Sequence, residues 1–149
     1  MPQGPPKPEP PPPNPTTVPA VVPEPTIVVE PPEVRERREA NQHLQIAQNL
    51  LAKGDYEGSL QESREVLALA KDQSPADAAV FNMGLVYASP KNPKRDNKTA
   101  INYFNRVIKS HPDSPWVEQA KIWVGVLDDV EKLKQVDIDI EEKKRDRLR

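Results

Sequence analysis

The stretch 44–70 constrains the fold most, because it carries two apolar stripes of helical period separated by a turn. The first stripe consists of Leu44, Ala47, Leu50 and Leu51. The second consists of Tyr56, Leu60, Ser63, Leu67 and Ala70. Between them, Gly54 can adopt the positive φ that ends a helix, and Asp55 is a good N-cap for the next one. The stretch therefore predicts a helical hairpin.

A hairpin of this kind leaves an apolar face uncovered and needs a neighbour to pack on. The chain repeats the pattern, since the small residue Ala47 recurs as Gly84 and Ala120, at separations of 37 and 36 residues. A large apolar residue follows three positions later in each unit, as Leu50, Tyr87 and Trp123. Small residues at these positions allow close approach of two helices, so the pattern predicts stacked helical units.

Two helix starts lie in register with this repeat. Ser74-Pro75 and Ser114-Pro115 each combine a serine that can cap a helix with a proline that suits the first helical position. Between these starts, residues 89–96 hold two prolines and three cations, which predicts an exposed loop. Both a solvated insertion and an anion-binding or partner-binding loop fit this composition.

Residues 40–127 resemble a short tetratricopeptide repeat (TPR) protein. The resemblance rests on Ala47, Gly54-Asp55-Tyr56, Gly84, Tyr87, Ala100, Phe104, Pro112, Trp116, Ala120 and Trp123. The chain departs from the family at Ser59, where alanine is preferred, in its longer turn 90–96, and in the missing second helix of its third unit. The resemblance implies an all-α fold. The expected architecture is a short TPR-like helical-hairpin solenoid of about two and a half repeats over residues 33–127. An unrelated helical bundle is the alternative.

The resemblance also implies a binding function, since TPR arrays hold a peptide or partner helix in the groove lined by their first helices. Seven residues are expected there by their position in the repeat: Gln45, Gln48, Asn49, Asn82, Val86, Glu118 and Lys121. The family's basic clamp for chaperone carboxylates is not expected. Leu44, Gln48 and Glu118 occupy clamp positions, and only Asn82 agrees with the clamp.

Residues 1–32 contain 14 of the 19 prolines, which predicts an extended, disordered tether. At about 3 Å per residue, this tether could reach roughly 90 Å. Two other interpretations stay open. The segment could be a ligand for an aromatic-lined groove of the SH3 or WW type, or residues 26–30 could add as an edge strand to a partner's sheet.

A long tether before a small helical domain resembles the small TPR lipoproteins of Gram-negative cell envelopes. Asp113-Ser114-Pro115-Trp116 and the Lys- and Glu-rich final helix add to this resemblance. It implies a periplasmic protein anchored to the outer membrane through an N-terminal lipid, on a residue that this chain does not contain. The sequence of residues 1–149 predicts neither a signal peptide nor a membrane span. A cytoplasmic protein is therefore the alternative.

The C-terminal region predicts a helix that caps the repeats and continues as a charged amphipathic helix over residues 128–149. Val126, Leu133 and Ile140 recur at seven residues, with Asp129 and Lys143 at companion positions. So short a heptad run does not by itself predict a stable coiled coil. A homo-oligomer formed through this helix, acting as a self-assembling structural module, stays open as an alternative function.

No enzyme, cofactor or metal site is expected. His43 and His111 are 68 residues apart, and no phosphate-binding loop or nucleophile elbow occurs. The acidic clusters at 128–129 and 137–142 lack the glycine-bearing loop of calcium sites. A net charge of -2 and 5% aromatic residues argue against nucleic-acid binding.

The functional hypothesis from the sequence is that the chain is a protein–protein adaptor of the cell envelope. A cytoplasmic regulator that uses its Pro-rich segment as a ligand is a further alternative.

Overall fold

The computed structural model describes residues 2–15, 19–25, 27 and 29–149, and the chain is all-α within them. Its helices are α1 (Pro32–Lys53), α2 (Tyr56–Ala70), α3 (Ala76–Ala88), α4 (Asn97–Ser110) and α5 (Val117–Arg147). This confirms the all-α part of the predicted fold class. The described residues before α1 have no regular secondary structure and are mostly exposed. Thr26 and Val28 of the edge strand considered for residues 26–30 lie outside the described residues.

The turn between α1 and α2 has the predicted chemistry. Gly54 has a φ of 82°, and its N–H donates to the carbonyl of Leu51 at 3.0 Å. Asp55 caps α2 by accepting from the N–H of Gly58 at 3.0 Å. The left-handed glycine ends one helix, and the short polar side chain of Asp55 satisfies one of the free N–H groups at the start of the next.

The two predicted Ser-Pro starts differ from the expectation. Ser74 does not cap α3, which begins at Ala76 without a side-chain cap. The N–H of Ala76 donates to the carbonyl of Gln73 at 2.9 Å. At the second start, the hydroxyl of Ser114 accepts from the N–H of Trp116 at 3.1 Å, and α5 begins one residue later. Ser114 therefore accepts a hydrogen bond from Trp116, the residue immediately before the helix.

Two helical hairpins stack side by side, α1 with α2 and α3 with α4. Helix α3 also contacts α2 and α1, and α5 packs on α4. Because neighbours surround α3, most of its residues are buried. The close approach predicted at Gly84 is present, since a Cβ added there would lie 2.7 Å from a ring carbon of Phe104 on α4.

The loop between α3 and α4 is held by defined contacts. Asn92 is buried, and its side-chain amide donates to the carbonyl of Val86 at 2.9 Å. The ammonium of Lys94 lies 2.8 Å from the carboxylate of Glu57 and lowers the pKa of Glu57. Asp96 caps α4, and the N–H groups of Thr99 and Lys98 that it accepts from lower its pKa. One of the three loop cations is thus engaged within the protein.

Helix α5 is about 46 Å long, at 1.5 Å per residue for its 31 residues. Its first part is docked through Ala120, Trp123 and Leu127. Glu131 marks the end of the docked part, where its carboxylate accepts from the side-chain amide of Asn97 at 3.1 Å, which lowers the pKa of Glu131. The helix runs unbroken through the expected division between residues 127 and 128.

Candidate partner-binding groove

An apolar cleft with a volume of about 300 Å³ lies between α1 and α3. Its lining residues are Gln48, Leu51, Ala52, Ala78, Phe81, Asn82, Leu85 and Trp116. The cleft is open to solvent, and its lining is mostly aliphatic and aromatic, with two amide side chains, Gln48 and Asn82. Such a surface suits an apolar side chain of a ligand with one or two polar contacts beside it.

The Trp116 side of the cleft is held by a row of aromatic rings. Trp116 stacks on Phe81 with a centroid distance of 4.8 Å, and Phe81 meets Phe104 edge-on at 5.3 Å. Phe104 in turn stacks on Trp123 at 5.8 Å. These contacts connect α3, α4 and α5, so the position of Trp116 depends on the packing of all three helices.

A hydrogen bond fixes the backbone beside Trp116. The hydroxyl of Ser114 donates to the carboxylate of Asp77 at 2.6 Å while it accepts from the N–H of Trp116. The bond to Asp77 joins Ser114, which lies three residues before α5, to the first turn of α3. The Trp116 side of the cleft is therefore preorganised in the absence of a ligand.

A buried network of hydrogen bonds connects the cleft residue Asn82 to α1 and α2. The side-chain amide of Asn82 donates to the hydroxyls of Ser59 at 2.9 Å and Ser63 at 3.0 Å, and the hydroxyl of Ser59 donates to the carbonyl of Ala47 at 2.7 Å. The network connects α1, α2 and α3. Ser59, which departs from the TPR pattern, is therefore the central member of an interhelical contact. Asn82 also lines the cleft, and because both of its side-chain N–H groups are used in this network, its carbonyl oxygen is the polar atom of the side chain that is left for a ligand.

The structure brings two of the seven predicted groove residues into the cleft, Gln48 and Asn82. Gln45 and Asn49 are exposed on α1 outside its lining. Glu118 and Lys121 are exposed on α5, where they form an ion pair at 3.3 Å, and they do not line the cleft.

Val86 is wrong as a groove residue, because it is 0% exposed and packs with Leu60 and Met83. The physical reason lies in the position of α3. Asn49, its equivalent on α1, is exposed because α1 is a terminal helix, whereas α3 has α2 packed against the corresponding side.

Most of the apolar lining was not predicted from the sequence, including Leu51, Ala52, Phe81 and Trp116. A signal for part of it was present, since Leu85 is the repeat equivalent of Gln48 and both line the cleft. Trp116 had no such signal, because it lies outside the helices and reaches the cleft through its stacking on Phe81.

The histidine and acidic side chains considered as catalytic or metal-binding groups do not come together in one site within the described residues. His43 lies on α1, and its Nδ1 contacts the carboxylate of Glu62 on α2. Among residues 2–15, 19–25, 27 and 29–149, no three His, Asp or Glu side chains cluster as a metal site would require. No helix in this described part of the chain is long and apolar enough to cross a membrane.

No family model, curated protein or solved structure matches this chain. The function proposed below therefore depends on the cleft and on the sequence patterns.

Proposed function

We propose that this chain is a protein–protein interaction adaptor that binds an apolar segment of a partner, a peptide or a helix, in the cleft between α1 and α3. The observation that carries the proposal is the combination of an apolar lining with a preorganised Trp116 side. Apolar surface that is held open by the surrounding packing loses little conformational entropy when a ligand covers it.

The expected ligand follows from the lining. One large aliphatic or aromatic side chain would lie among Leu51, Phe81, Leu85 and Trp116. The carbonyl oxygen of Asn82 would accept a hydrogen bond beside it, and the side-chain amide of Gln48 could accept or donate one. This favours a ligand whose backbone or neighbouring side chain supplies N–H groups. A TPR-like array would present such a cleft on the surface of its first helices.

The proposed site of action is the bacterial cell envelope. The support for this placement is the Pro-rich segment before α1, which resembles the tether of small TPR lipoproteins. On this proposal, the tether carries the helical domain away from an anchored N-terminus.

The test is photo-crosslinking in the cell with p-benzoylphenylalanine in place of Gln48, and in place of Arg106 on α4 as a control. A partner seated in the cleft gives an adduct at Gln48 that is absent at Arg106, and mass spectrometry identifies it. The proposal is contradicted if position 48 gives no adduct beyond those seen at position 106.

A matched pair of variants then tests whether the cleft itself binds. Ala52 lines the cleft and is exposed, whereas Ala68 is exposed on α2 away from it. Ala52→Arg places a long charged side chain in the cleft, and Ala68→Arg makes the same change elsewhere, with little effect on either helix since arginine is a good helix former. We expect Ala52→Arg to weaken binding of the identified partner at least ten-fold, or about 1.4 kcal/mol, and Ala68→Arg to leave it unchanged. Equal affinities of the two variants, measured by titration calorimetry, would rule out the cleft as the binding site.

A further inference from the structure

Helix α5 carries an exposed apolar stripe on the side away from α4. Its residues are Ile122, Val126, Leu133, Val136 and Ile140, each at least 46% exposed. At 100° per residue, the stripe is centred about 130° around the helix from the residues that dock α5, Ala120, Trp123 and Leu127. The stripe therefore cannot be covered by the packing that holds α5 to the domain.

The second half of α5 contacts little of the described chain, because every residue from Lys132 onward is exposed. A free helix of this length, about 24 Å, is only marginally stable in water by itself. Its side-chain ion pairs, such as Lys134 with Glu131 at 3.3 Å and Lys144 with Glu141 at 3.8 Å, are surface pairs that each contribute little. Burial of the apolar stripe would supply the missing stabilisation.

We propose that a second copy of this chain covers the stripe, so that two α5 helices form a parallel, in-register coiled coil over residues 122–143. The stripe follows the alternating spacing of four and three residues that such a seam requires. Val126, Leu133 and Ile140 occupy one set of seam positions. Ile122 and Val136 occupy the other set, together with Asp129 and Lys143. The seam runs for three heptads and includes residues from both the docked and the free parts of α5.

The charges beside the seam favour the parallel orientation. In a parallel pair, residues five apart on neighbouring chains meet across the seam. Lys132 then faces Asp137 of the partner subunit, and Asp139 faces Lys144 of the partner subunit. Each contact occurs twice by symmetry, so two kinds of contact give four attractive pairs.

An antiparallel pair fits the same residues less well. The alignment that brings Lys132 opposite Asp139 of the partner subunit also sets Lys143 against Val126 and Asp129 against Ile140. It retains two attractive pairs and buries charge against apolar side chains, which is unfavourable. The parallel pair has four attractive flanking pairs against two, and its unfavourable layers are confined to Asp129 and Lys143, so the charges favour a second, parallel copy as the occupant.

Two seam positions limit the affinity. Asp129 and Lys143 each face the same residue of the partner subunit, so like charges approach in two layers. The dimer is therefore a weak one, formed and lost in response to local concentration. Asp129→Leu should strengthen it by replacing a repulsive layer with an apolar one.

Sedimentation equilibrium of the full chain, up to about 1 mM, tests the association. The chain provides a closely matched control, because Ile140 lies on the stripe and Ile138 lies off it, at 46% and 49% exposure. We expect Ile140→Lys to weaken dimerisation at least ten-fold, Ile138→Lys to have little effect, and Asp129→Leu to tighten it at least ten-fold. The proposal is overturned if both the unchanged chain and Asp129→Leu remain monomeric, or if the two isoleucine variants are equally impaired.

The orientation has its own test, which the absence of native cysteine makes simple. In a parallel, in-register pair, Lys143→Cys brings two thiols together at the seam, so mild oxidation yields a disulfide-linked dimer. Lys134→Cys, the same change off the seam, should not form one. A dimer that persists in solution while Lys143→Cys fails to crosslink would contradict the parallel arrangement.

This inference is independent of the partner proposed for the cleft, and the two fail separately. Ala52→Arg should leave self-association unchanged, whereas Ile140→Lys should leave the crosslink at position 48 unchanged.

Discussion

Replacement of Gly84 by alanine tests the packing on which the rest of the fold depends. A Cβ at this position would lie 2.7, 2.8 and 2.9 Å from three ring carbons of Phe104. The ring cannot move away easily, because Phe104 is fully buried and lies between Phe81 and Trp123. Gly84→Ala must therefore displace α3 from α4 or disturb the aromatic row.

Two opposing terms set the magnitude. Overpacking of a well-filled core costs about 1–3 kcal/mol, whereas alanine is favoured over glycine in a helix by about 1 kcal/mol. Since three contacts are too short and the ring is confined, we place the overpacking cost in the upper half of its range. The expected net loss in the free energy of unfolding is about 1–2 kcal/mol. This corresponds to a Tm decrease of about 4–8 °C for a domain of this size.

Gly125→Ala is the matched control, because a Cβ added at Gly125 on α5 meets nothing within 4 Å. The same substitution should raise stability there by up to about 1 kcal/mol through helix propensity alone. Both variants are measured by urea denaturation and thermal melting followed by circular dichroism. Combining Gly84→Ala with Phe104→Leu should cost less than the sum of the single changes, since the smaller side chain relieves the contact. A Gly84→Ala variant as stable as the unchanged chain would refute the close-packing argument.

Two further predictions concern polar groups. Asn82→Ala should lower the free energy of unfolding by about 2 kcal/mol, because the hydroxyls of Ser59 and Ser63 lose a buried partner, whereas Asn49→Ala at an exposed position should change little. Urea denaturation measures both, and equal small losses would contradict the network. Asp96→Ala should cost about 1 kcal/mol at neutral pH through loss of the α4 cap. Because the pKa of Asp96 is lowered in the folded state, its contribution is present above the usual aspartate pKa and disappears as pH falls through the folded-state value. Stability curves of the two proteins should therefore converge below about pH 4, and a constant difference down to pH 2 would be inconsistent with the cap.

Local chemistry made the secondary structure predictable. Gly54 and Asp55 end one helix and begin the next as expected, because each acts through its own backbone and its nearest neighbours. Ser74 failed as a cap for the opposite reason. The start of α3 has no side-chain cap, and its turn contains a hydrogen bond between the backbone groups of Ala76 and Gln73, which residue types do not predict.

The candidate site was only partly predictable. The repeat placed Gln48 and Asn82 on the correct surface, but it also placed Val86 there, since position in a repeat does not say which neighbours each copy has. The role of Ser59 was likewise hidden. As a sequence feature it is a departure from the TPR pattern, and only the arrangement of three helices shows that its hydroxyl bridges Ala47 and Asn82.

The sequence alone determined that this chain is all-α, where its first hairpin turns, and that small residues recur where helices approach closely. These properties depend on periodicity and on short-range backbone preferences, which are written in neighbouring residues. Tertiary structure decided which faces remain open. The cleft exists because Trp116 stacks on Phe81 beside α1, and the stripe of α5 is exposed because α4 covers only one side of that helix. Both depend on residues far apart in the chain, whose contacts form only when the helices pack together.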